Sequence, residues 1–407
     1  KSEVQCHTVL SDWLTFFRKG HVGLVLNTNV TEEAVRESAV HDFDLSAFKQ
    51  YLKSKREETL EGIWQFSSYM VALKKEGNVH KAYIVESTNP SWKAGQVKFI
   101  LNDPADSNTA KVTFFMGDHS ARQIDTMTLL GNNEVVLGNS FIVMSRQEPR
   151  QESSPEITRY VRLLSTKTPL FEKISQDTVL VRIPAFDHAF KKDINALIAK
   201  HLDTILKTEN LIIDIRGNGG GSDVSYASLL PILYTNPIRT VGMEYLSTEL
   251  NNSRMLGFLQ NPHFSEEEKQ WAKDGYDILQ QHIGSYINID DDVTVKTFDK
   301  IEPLPKSIGV LVDSSNGSTA EQFLLAAKQS KKVKLFGQTT AGVLDISNMY
   351  QTDSPSGVFT LHYSLTKSLR IPHMAIDGVG IQPDYYLDSE LPLYEWTSYA
   401  QKILEGM

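Results

Sequence analysis

Ser318 is the side chain whose type and surroundings best suit nucleophilic chemistry. It follows the apolar run 308–312 and a cluster of turn-forming residues, and an apolar stripe with helical spacing begins just after it. This pattern predicts a strand, a tight turn and a helix, with Ser318 in the first helical turn. Ser318 and Glu321 form S-x-x-E, which is typical of a capping box. The alternative is a nucleophile whose following amide, that of Thr319, helps to bind an oxyanion at the positive end of the helix.

A second stretch, residues 211–223, leads from an apolar strand into Gly-Asn-Gly-Gly-Gly. Consecutive glycines let the backbone approach a ligand closely and turn amide N–H groups outward, as an anion or oxyanion requires. The phosphate-binding patterns do not fit, because no Gly-Lys-Ser/Thr follows and Ser222 occupies the last glycine position of G-x-G-x-x-G. The sequence therefore indicates either an oxyanion-binding loop or a loop that is merely flexible.

A third stretch, residues 376–384, carries the carboxylates of Asp377 and Asp384 in ordinary turn pairs. The composition allows acid–base catalysis by two carboxylates, as in glycosidases, but no spacing of carboxylates in the sequence indicates it. The eleven histidines include no H-E-x-x-H and no close pair, so neither a metal nor another cofactor is predicted. His21 stands between a helical pattern that ends at Gly20 and an apolar strand, where it is a surface residue, a capping residue or a catalytic base.

The periodicity of the remaining chain predicts how these stretches are positioned. The strand 178–183, the helix 193–206 and the strand 211–215 form a β-α-β crossover, hence a parallel pair within an α/β layer. Short strands with turns between them predict a small antiparallel barrel or curled sheet, which either binds a ligand or peptide or serves only in packing. Four regions are expected: an N-terminal helical segment contributing the His21 corner, this β domain, a linker and an α/β core, in residues 1–61, 62–145, 146–157 and 158–407.

Two smaller features refine this division. Residues 31–57 carry two helical patterns, the second starting at Asp44 or Ser46. Residues 237–305 form a long insertion before the Ser318 strand, and Ser265 and Glu268 give one of its helices a capping box. Such an insertion either walls a cleft or is peripheral.

Composition restricts the class of protein. The 407 residues are 41% hydrophobic and 22% charged, as in an ordinary soluble globular protein with more than one core. A net charge of -9 argues against nucleic acid as the main partner. The single cysteine, Cys6, excludes an intrachain disulfide, and no apolar run approaches the length of a membrane span. Because the chain begins with Lys1, we expect a trimmed form from which a signal peptide could have been removed.

Three segments together resemble a known family. DIRGNGGG, SSNGSTAE and DGVGIQPD, in this order, are similar to the core of the C-terminal-processing (tail-specific) serine peptidases and their tricorn-type relatives. The resemblance covers roughly residues 157–390 and the Gly20-His21 corner. It implies an α/β peptidase core of crotonase-like ββα layers, with an inserted antiparallel β-barrel-like domain. It also implies Ser318 as the nucleophile, with oxyanion amides from Gly219 or Gly220 and from Thr319.

The family that the chain resembles has two branches, which differ in the residue that serves as general base. Tail-specific members use a lysine located 25 residues after the nucleophile, and that position is Val343 here. The chain therefore resembles the tricorn-type branch, which implies His21 as base and Asp377 as the carboxylate that orients it. Lys19-Gly20 precedes the histidine, and Asp377 is one methylene shorter than the glutamate of that branch. Asp345 and Asp384 are alternatives for the third role.

These expectations combine into one functional prediction. Imidazole takes the proton of a serine hydroxyl, a carboxylate fixes its tautomer, and two amides hold the tetrahedral oxyanion. The sequence predicts a serine endopeptidase that works through an acyl-enzyme on peptides or unfolded proteins, near apolar residues. By resemblance it is exported to a bacterial periplasm or cell envelope. The alternative is a non-catalytic binding protein of the same fold that carries a lipophilic or peptide ligand.

Overall fold

The computed structural model describes residues 3–17, 20–27, 39–55, 60–102, 111–138, 142–262 and 264–406. The chain divides into two compact units, one formed by residues 1–27 and 166–407 and the other by residues 28–165. The first 27 residues, with His21, therefore belong to the same unit as the α/β region. The predicted linker 146–157 contains the end of one strand and the start of one helix.

The chain begins with two elements of the first unit, α1 (Glu3–Leu14) and β1 (Gly23–Leu26). The second unit then contains α2 (Leu45–Ser54), where Asp44 accepts a hydrogen bond from the amide of Ala47 and confirms one of the two predicted helix starts. The helical pattern predicted before it, over residues 31–38, lies outside the described residues. The described residues that follow form nine strands and a closing helix: β2 (Gly62–Phe66), β3 (Tyr69–Glu76), β4 (Val79–Ser87), β5 (Val97–Asn102), β6 (Val112–Phe115), β7 (Ala121–Ile124), β8 (Met127–Leu130), β9 (Glu134–Leu137), β10 (Ile142–Glu148) and α3 (Pro155–Ser165).

The nine strands form one antiparallel sheet that must curl. Its order is β7-β6-β5-β4-β3-β2-β10-β9-β8, so that β7 and β8 lie at opposite edges. A flat sheet of this size would separate its edges by about 38 Å, since neighbouring strands lie about 4.8 Å apart. The chain passes from Ile124 at the end of β7 to Met127 at the start of β8, a reach of only about 10 Å. The short connection therefore brings the edges together, in agreement with the predicted curled sheet.

Lys98 on β5 is a charged residue inside this sheet. It is 1% exposed, and its Nζ lies 4.2 Å, 3.9 Å and 4.9 Å from the ring centroids of Tyr69, Trp92 and Phe114. The ammonium group also donates a hydrogen bond of 2.5 Å to the carbonyl oxygen of Phe115. Burial lowers the pKa of Lys98 to about 7, although Asp118 acts in the opposite direction.

This burial makes the stability of the second unit depend on pH. The unfolded chain keeps the Lys98 proton up to its ordinary pKa of 10.5, whereas the folded chain loses it near pH 7. The free energy of unfolding should therefore rise from about pH 7 towards the ordinary pKa, by up to about 1.4 kcal/mol per pH unit. Guanidinium unfolding at about pH 7 and about pH 9 should show this rise in the wild type and a smaller rise in Lys98→Met. Lys74→Met, at a half-exposed lysine, is the control and should keep it; equal rises in all three proteins would contradict the prediction.

The first unit contains the α/β region. Its elements after residue 166 are β11 (Leu170–Lys173), β12 (Thr178–Arg182), α4 (Lys191–Ile205), β13 (Asn210–Asp214), α5 (Leu230–Leu233), β14 (Ile238–Val241), β15 (Met243–Leu246), α6 (Glu249–Gln260), α7 (Glu266–Gln280), β16 (Tyr286–Ile287), β17 (Val293–Lys296), β18 (Ser307–Val312), α8 (Thr319–Ala327), β19 (Val333–Gly337), β20 (Ile346–Asp353), β21 (Phe359–Ser368), β22 (Tyr385–Tyr386) and α9 (Trp396–Leu404). The capping box predicted at Ser265 and Glu268 is present at the start of α7.

A six-stranded sheet of order β11-β12-β13-β18-β19-β22 is the centre of this unit. The predicted crossover is confirmed, since β12 and β13 are parallel neighbours joined through α4. β13 and β18 are also parallel, with Asp214 opposite Leu311, so the loops that follow them leave the sheet at the same edge. The glycine loop after β13 and the Ser318 turn after β18 meet for this reason. The finer expectation of crotonase-like layers stays a prediction.

A second sheet of the same unit carries the N-terminal corner. β1 pairs antiparallel with β21, with Gly23 opposite His362, and β20 pairs with the same strand. His21, two residues before β1, is thereby placed beside the start of β20. No helix in the described part of the chain is both long and apolar enough to cross a bilayer.

Candidate active site

Ser318 stands at a sharp turn between β18 and α8, as the sequence predicts. Its backbone has φ 54° and ψ −126°, which is unusual for a residue with a side chain and indicates local strain. Ser318 occupies the cap position of α8, but its hydroxyl accepts no capping hydrogen bond. Its amide instead donates to the carbonyl oxygen of Val343 at 3.2 Å. The half-buried Ser318 thus does not use its hydroxyl as a helix cap, and a strained turn of this kind is typical of a nucleophilic serine.

Glu321, the other half of the S-x-x-E pattern, has a different role from a capping residue. It is fully buried, and its carboxylate accepts hydrogen bonds from the hydroxyl of Thr340 and from the amides of Gly342 and Val343, the last two at 2.8 Å and 2.9 Å. Burial raises the pKa of Glu321 above its usual value, while these hydrogen bonds pull it down. Glu321 therefore fixes the loop whose Val343 carbonyl holds the Ser318 amide.

His21 is oriented by the same loop. Its Nδ1 lies 2.8 Å from the carbonyl oxygen of Ile346. Because a carbonyl can only accept, Nδ1 must carry the proton, and Nε2 of the neutral ring is then an acceptor. The preceding Gly20 is in close contact with Val343, since a Cβ on Gly20 would lie 2.2 Å from Val343 Cγ1. Residues 343–346 thus join the Ser318 turn to the His21 ring.

Asp377, predicted to orient His21, contacts the backbone of this loop. Its carboxylate accepts hydrogen bonds from the amides of Leu344, Asp345 and Ile346, at 2.8 Å, 2.6 Å and 3.2 Å. The ring hydrogen bond of His21 goes to the Ile346 carbonyl instead. Asp377 therefore acts on the imidazole indirectly, because it binds the amide of Ile346, the residue whose carbonyl contacts the ring.

The two alternative carboxylates also fix backbone. Asp345 is fully buried, forms an ion pair with Arg370 Nε at 2.8 Å, and accepts the amides of Ile376 and Asp377 at 2.5 Å and 2.8 Å. Asp384 accepts the amide of Leu335 at the edge of the six-stranded sheet. Neither hydrogen-bonding pattern includes the His21 ring.

The glycine loop packs directly against the Ser318 turn. Gly220 has φ +113°, and a Cβ there would lie 2.8 Å from Ser318 Cβ and 2.9 Å from the amide nitrogen of Thr319. The amide of Gly220 donates to Asn218 Oδ1 at 2.9 Å and is thus occupied. The amides of Gly219 and Thr319 have no acceptor within the described ranges. Of the amides predicted to bind an oxyanion, these two are the ones left for a ligand.

This close approach gives a specific prediction. Gly220→Ala should reduce hydrolysis by two orders of magnitude or more, because the added methyl displaces Ser318 and the Thr319 amide, and one oxyanion donor alone is worth about a hundredfold. Peptide hydrolysis and far-UV circular dichroism would measure activity and folding. Gly217→Ala is the matched control, because its φ of +74° is also positive but its Cβ would meet nothing within 4 Å. Equal loss in both variants would assign the effect to backbone strain rather than to the contact with Ser318.

Sequence reasoning missed the residues that hold these loops together. Asn316 is fully buried, and its Nδ2 donates to the carbonyl oxygens of Ile215 and Asn218 at 2.6 Å and 3.0 Å. The side chain of Asn218, also buried, donates to the carbonyl of Ile183. Both asparagines lie inside the segments GNGGG and SNGS, and this position is the only feature of the sequence that could have indicated their role. Nothing in the sequence marks Ile346, because it acts through its main-chain carbonyl.

Comparison with known proteins supports a common ancestry for this region. The model of peptidase family S41 matches residues 177–387, which is slightly more than half of the chain. No curated protein matches the sequence significantly. The matched segment contains the glycine loop, the Ser318 turn and residues 343–346, while His21 lies before it.

Solved structures of low sequence identity are also similar. Mature CPAF complexed with lactacystin is 14% identical over 99% of this chain and 88% of that chain, with a TM-score of 0.47. The photosystem II D1 C-terminal processing protease is 14% identical over 97% and 84%, with a TM-score of 0.38. A putative peptidase from Parabacteroides merdae is 16% identical over 64% and 74%, with a TM-score of 0.40. On the family match, this chain belongs to peptidase family S41 and is a serine-type peptidase.

Proposed function

We propose that the protein is an endopeptidase that cleaves peptide bonds through an acyl-enzyme, with Ser318 as nucleophile and His21 as general base. One observation carries the proposal: residues 343–346 hold both groups, the Ser318 amide through the Val343 carbonyl and the His21 ring through the Ile346 carbonyl. Two residues that are far apart in the sequence, one through its main-chain amide and one through its ring, thereby bind the same segment. A capping serine and a surface histidine would have no reason to share it.

The reaction follows from the tautomer of His21. Nε2 accepts the proton of the Ser318 hydroxyl while Oγ attacks the substrate carbonyl, and the resulting oxyanion accepts hydrogen bonds from the amides of Gly219 and Thr319. Collapse of the tetrahedral intermediate breaks the C–N bond, and Nε2–H protonates the leaving amine. A water molecule, deprotonated by Nε2, then hydrolyses the ester and releases the acid product and free Ser318.

In this proposal, the role of the third catalytic residue is shared by the Ile346 carbonyl and Asp377. The Ile346 carbonyl accepts the Nδ1 proton and so fixes the tautomer of His21, as a carboxylate does in other serine peptidases. Asp377 is a positioning residue, because its Oδ2 accepts the amide of Ile346 at 3.2 Å. Ile346 links the Asp377 carboxylate to the His21 ring, and the carboxylate stabilises the imidazolium that forms during the reaction by electrostatic attraction.

Labelling with a fluorophosphonate tests the nucleophile directly. The purified protein should gain the mass of one phosphonyl group, and peptide mapping should place it on the tryptic fragment that contains Ser318, which ends at Lys328. Boiled protein is the control, since labelling requires the folded site. A label on another residue, or none at all, would refute the assignment of Ser318.

Substrate class and location follow as parts of the same proposal. A family of peptidases implies peptide or unfolded protein substrates, and the acyl-enzyme chemistry requires no cofactor. Export to a cell envelope rests on the motif resemblance alone. Fractionation of the source cells, with the protein followed by immunoblot, tests it, and recovery with cytoplasmic markers would count against export.

A further inference from the structure

The side chain of Val343 has no part in the mechanism above, although its main chain supports Ser318. The amide of Val343 donates a hydrogen bond of 2.9 Å to Glu321 Oε2, and its carbonyl oxygen accepts the amide of Ser318 at 3.2 Å. The main chain of Val343 is thus held on both sides. Because a branched β-carbon restricts rotation about χ1, the two methyl groups of this half-buried valine also have fixed directions.

Each methyl group of Val343 contacts the residue before a proposed catalytic residue. A Cβ on Gly317, which precedes Ser318, would lie 2.6 Å from Val343 Cγ2. A Cβ on Gly20, which precedes His21, would overlap Val343 Cγ1. A C–C bond is about 1.5 Å long, so both glycine α-carbons lie within about 4.1 Å of a methyl group, which is van der Waals contact. One isopropyl group therefore touches the main chain next to both members of the proposed pair.

Gly317 is required for reasons of space rather than of conformation. Its φ is not positive, so a residue with a side chain could adopt this φ. Gly317 is buried, and Val343 Cγ2 occupies the position that a side chain would need. The next atom is Ala341 Cβ, which would lie 3.6 Å from the added carbon, an ordinary contact distance. The glycine and the valine are therefore matched to each other in shape.

Hydrogen bonds by themselves set the spacing of the two catalytic groups only loosely. The ring and the carbonyl oxygen of His21 bond to Ile346 and Ser364, and the amide of Ser318 bonds to Val343. Such bonds vary in length over a range of about 0.5 Å. Steric contact between packed groups is steeper, so the Val343 side chain, which touches the residues before Ser318 and His21, sets the smallest distance between them.

We propose that Val343 is a positioning residue, whose side chain sets the separation of Ser318 and His21. The proposal deepens the proposed function and rests on it. Proton transfer requires the Ser318 oxygen and His21 Nε2 to come within about 3.2 Å, and a displacement of about 1 Å costs roughly a hundredfold in rate. Loss of both methyl groups from Val343 allows a movement of this size, because each lies about 1.5 Å from Cβ. The valine thus defines the reaction geometry, although it carries no group that reacts.

Val343→Ala tests the proposal in steady-state kinetics. Its kcat for a fluorogenic peptide should fall by roughly ten- to a hundredfold with KM little changed, because substrate binding does not require the Ser318–His21 contact. Val343→Thr, which keeps two γ atoms on a branched β-carbon, should recover most of this loss. Val293→Ala, at a half-buried valine of β17, is the matched control and should react like the wild type. A wild-type kcat in Val343→Ala, or an equal loss in Val343→Thr, would overturn the proposal.

The rate of fluorophosphonate labelling separates misalignment from misfolding. In Val343→Ala every molecule should still gain one phosphonyl group, but roughly ten- to a hundredfold more slowly than in the wild type, since the hydroxyl of Ser318 is present and poorly activated. A variant that merely folds poorly would be labelled at the wild-type rate in a reduced fraction of the molecules. That second result would assign Val343 to folding and contradict the positioning role.

A double-mutant cycle with Gly317 tests the contact itself. In the wild-type background, Gly317→Ala places a methyl group 2.6 Å from Val343 Cγ2 and should lower kcat by roughly tenfold or more. In the Val343→Ala background, the same methyl group meets nothing closer than Ala341 Cβ at 3.6 Å and should cause no further loss. Equal factors in the two backgrounds would show that Gly317 and Val343 act independently, and the proposal would be wrong.

Labelling of the wild type distinguishes failure of this proposal from failure of the proposed function. If Ser318 is labelled in the wild type and equally fast in Val343→Ala, the positioning role is refuted and the peptidase mechanism is retained. If Ser318 is not labelled in the wild type, the peptidase mechanism is refuted, and the positioning role with it.

Discussion

Ser318→Ala is expected to reduce kcat/KM for peptide hydrolysis by on the order of 10⁴-fold or more, because the variant has no nucleophile to form the acyl-enzyme. The protein should remain folded, since the Ser318 hydroxyl makes no capping hydrogen bond and the amide that binds Val343 is retained. Hydrolysis of a fluorogenic peptide, together with fluorophosphonate labelling of the same samples, measures the effect. Substrate binding should be little changed, so the loss should appear in kcat rather than in KM.

Ser315→Ala is the control for this experiment. Ser315 belongs to the same turn, and the hydrogen bond it makes to Asp313 uses its main-chain amide, which alanine keeps. Its hydrolysis and labelling should equal those of the wild type. Wild-type hydrolysis by Ser318→Ala would show that another residue forms the acyl-enzyme and would end the proposed mechanism.

His21→Gln is expected to reduce kcat/KM by roughly 10³- to 10⁴-fold, because glutamine cannot accept the Ser318 proton. A glutamine amide can still donate to the Ile346 carbonyl, so the corner before β1 should keep its place. Hydrolysis of the fluorogenic peptide measures the loss, and far-UV circular dichroism measures whether the variant is folded.

His7→Gln provides the comparison. His7 also lies in the N-terminal region and bonds a main-chain carbonyl, with its Nε2 at 2.9 Å from the oxygen of Leu24. Its replacement should preserve kcat/KM. If the two histidine variants lose activity equally, the His21 effect is one of N-terminal folding, and the general base has to be sought elsewhere.

The S-x-x-E pattern shows how far local reasoning extends. The apolar strand, the turn formers and the helical stripe act over a few residues, so the strand–turn–helix around Ser318 could be predicted from the sequence. The S-x-x-E pattern is also that of a capping box. Whether Glu321 caps the helix or fixes a distant loop depends on Thr340, Gly342 and Val343, which donate hydrogen bonds to Glu321 from 19 to 22 positions further along the chain. The related pattern at Ser265 and Glu268 does form a capping box, so the motif alone does not decide.

The group that orients His21 could not be identified from the sequence. The sequence predicted Asp377 for this role, with Asp345 and Asp384 as alternatives, because side-chain type is all that a motif specifies. In the folded chain the carboxylates of all three accept backbone amides, and a main-chain carbonyl contacts His21. Every residue has such a carbonyl, and no sequence pattern can therefore identify the one that acts.

Apolar periodicity and turn chemistry are local properties, so the β-α-β crossover, the glycine loop and the turn that carries Ser318 could all be predicted from the amino-acid sequence. The same three segments carry the resemblance to a peptidase family, and the family match over residues 177–387 contains all three. That His21 and Ser318 contact the same loop is visible only in the folded chain, since the hydrogen bond from His21 to Ile346 spans 325 positions. Sheet pairing of β1 with β21 creates that contact, and strand pairing between distant segments is not encoded in either strand alone.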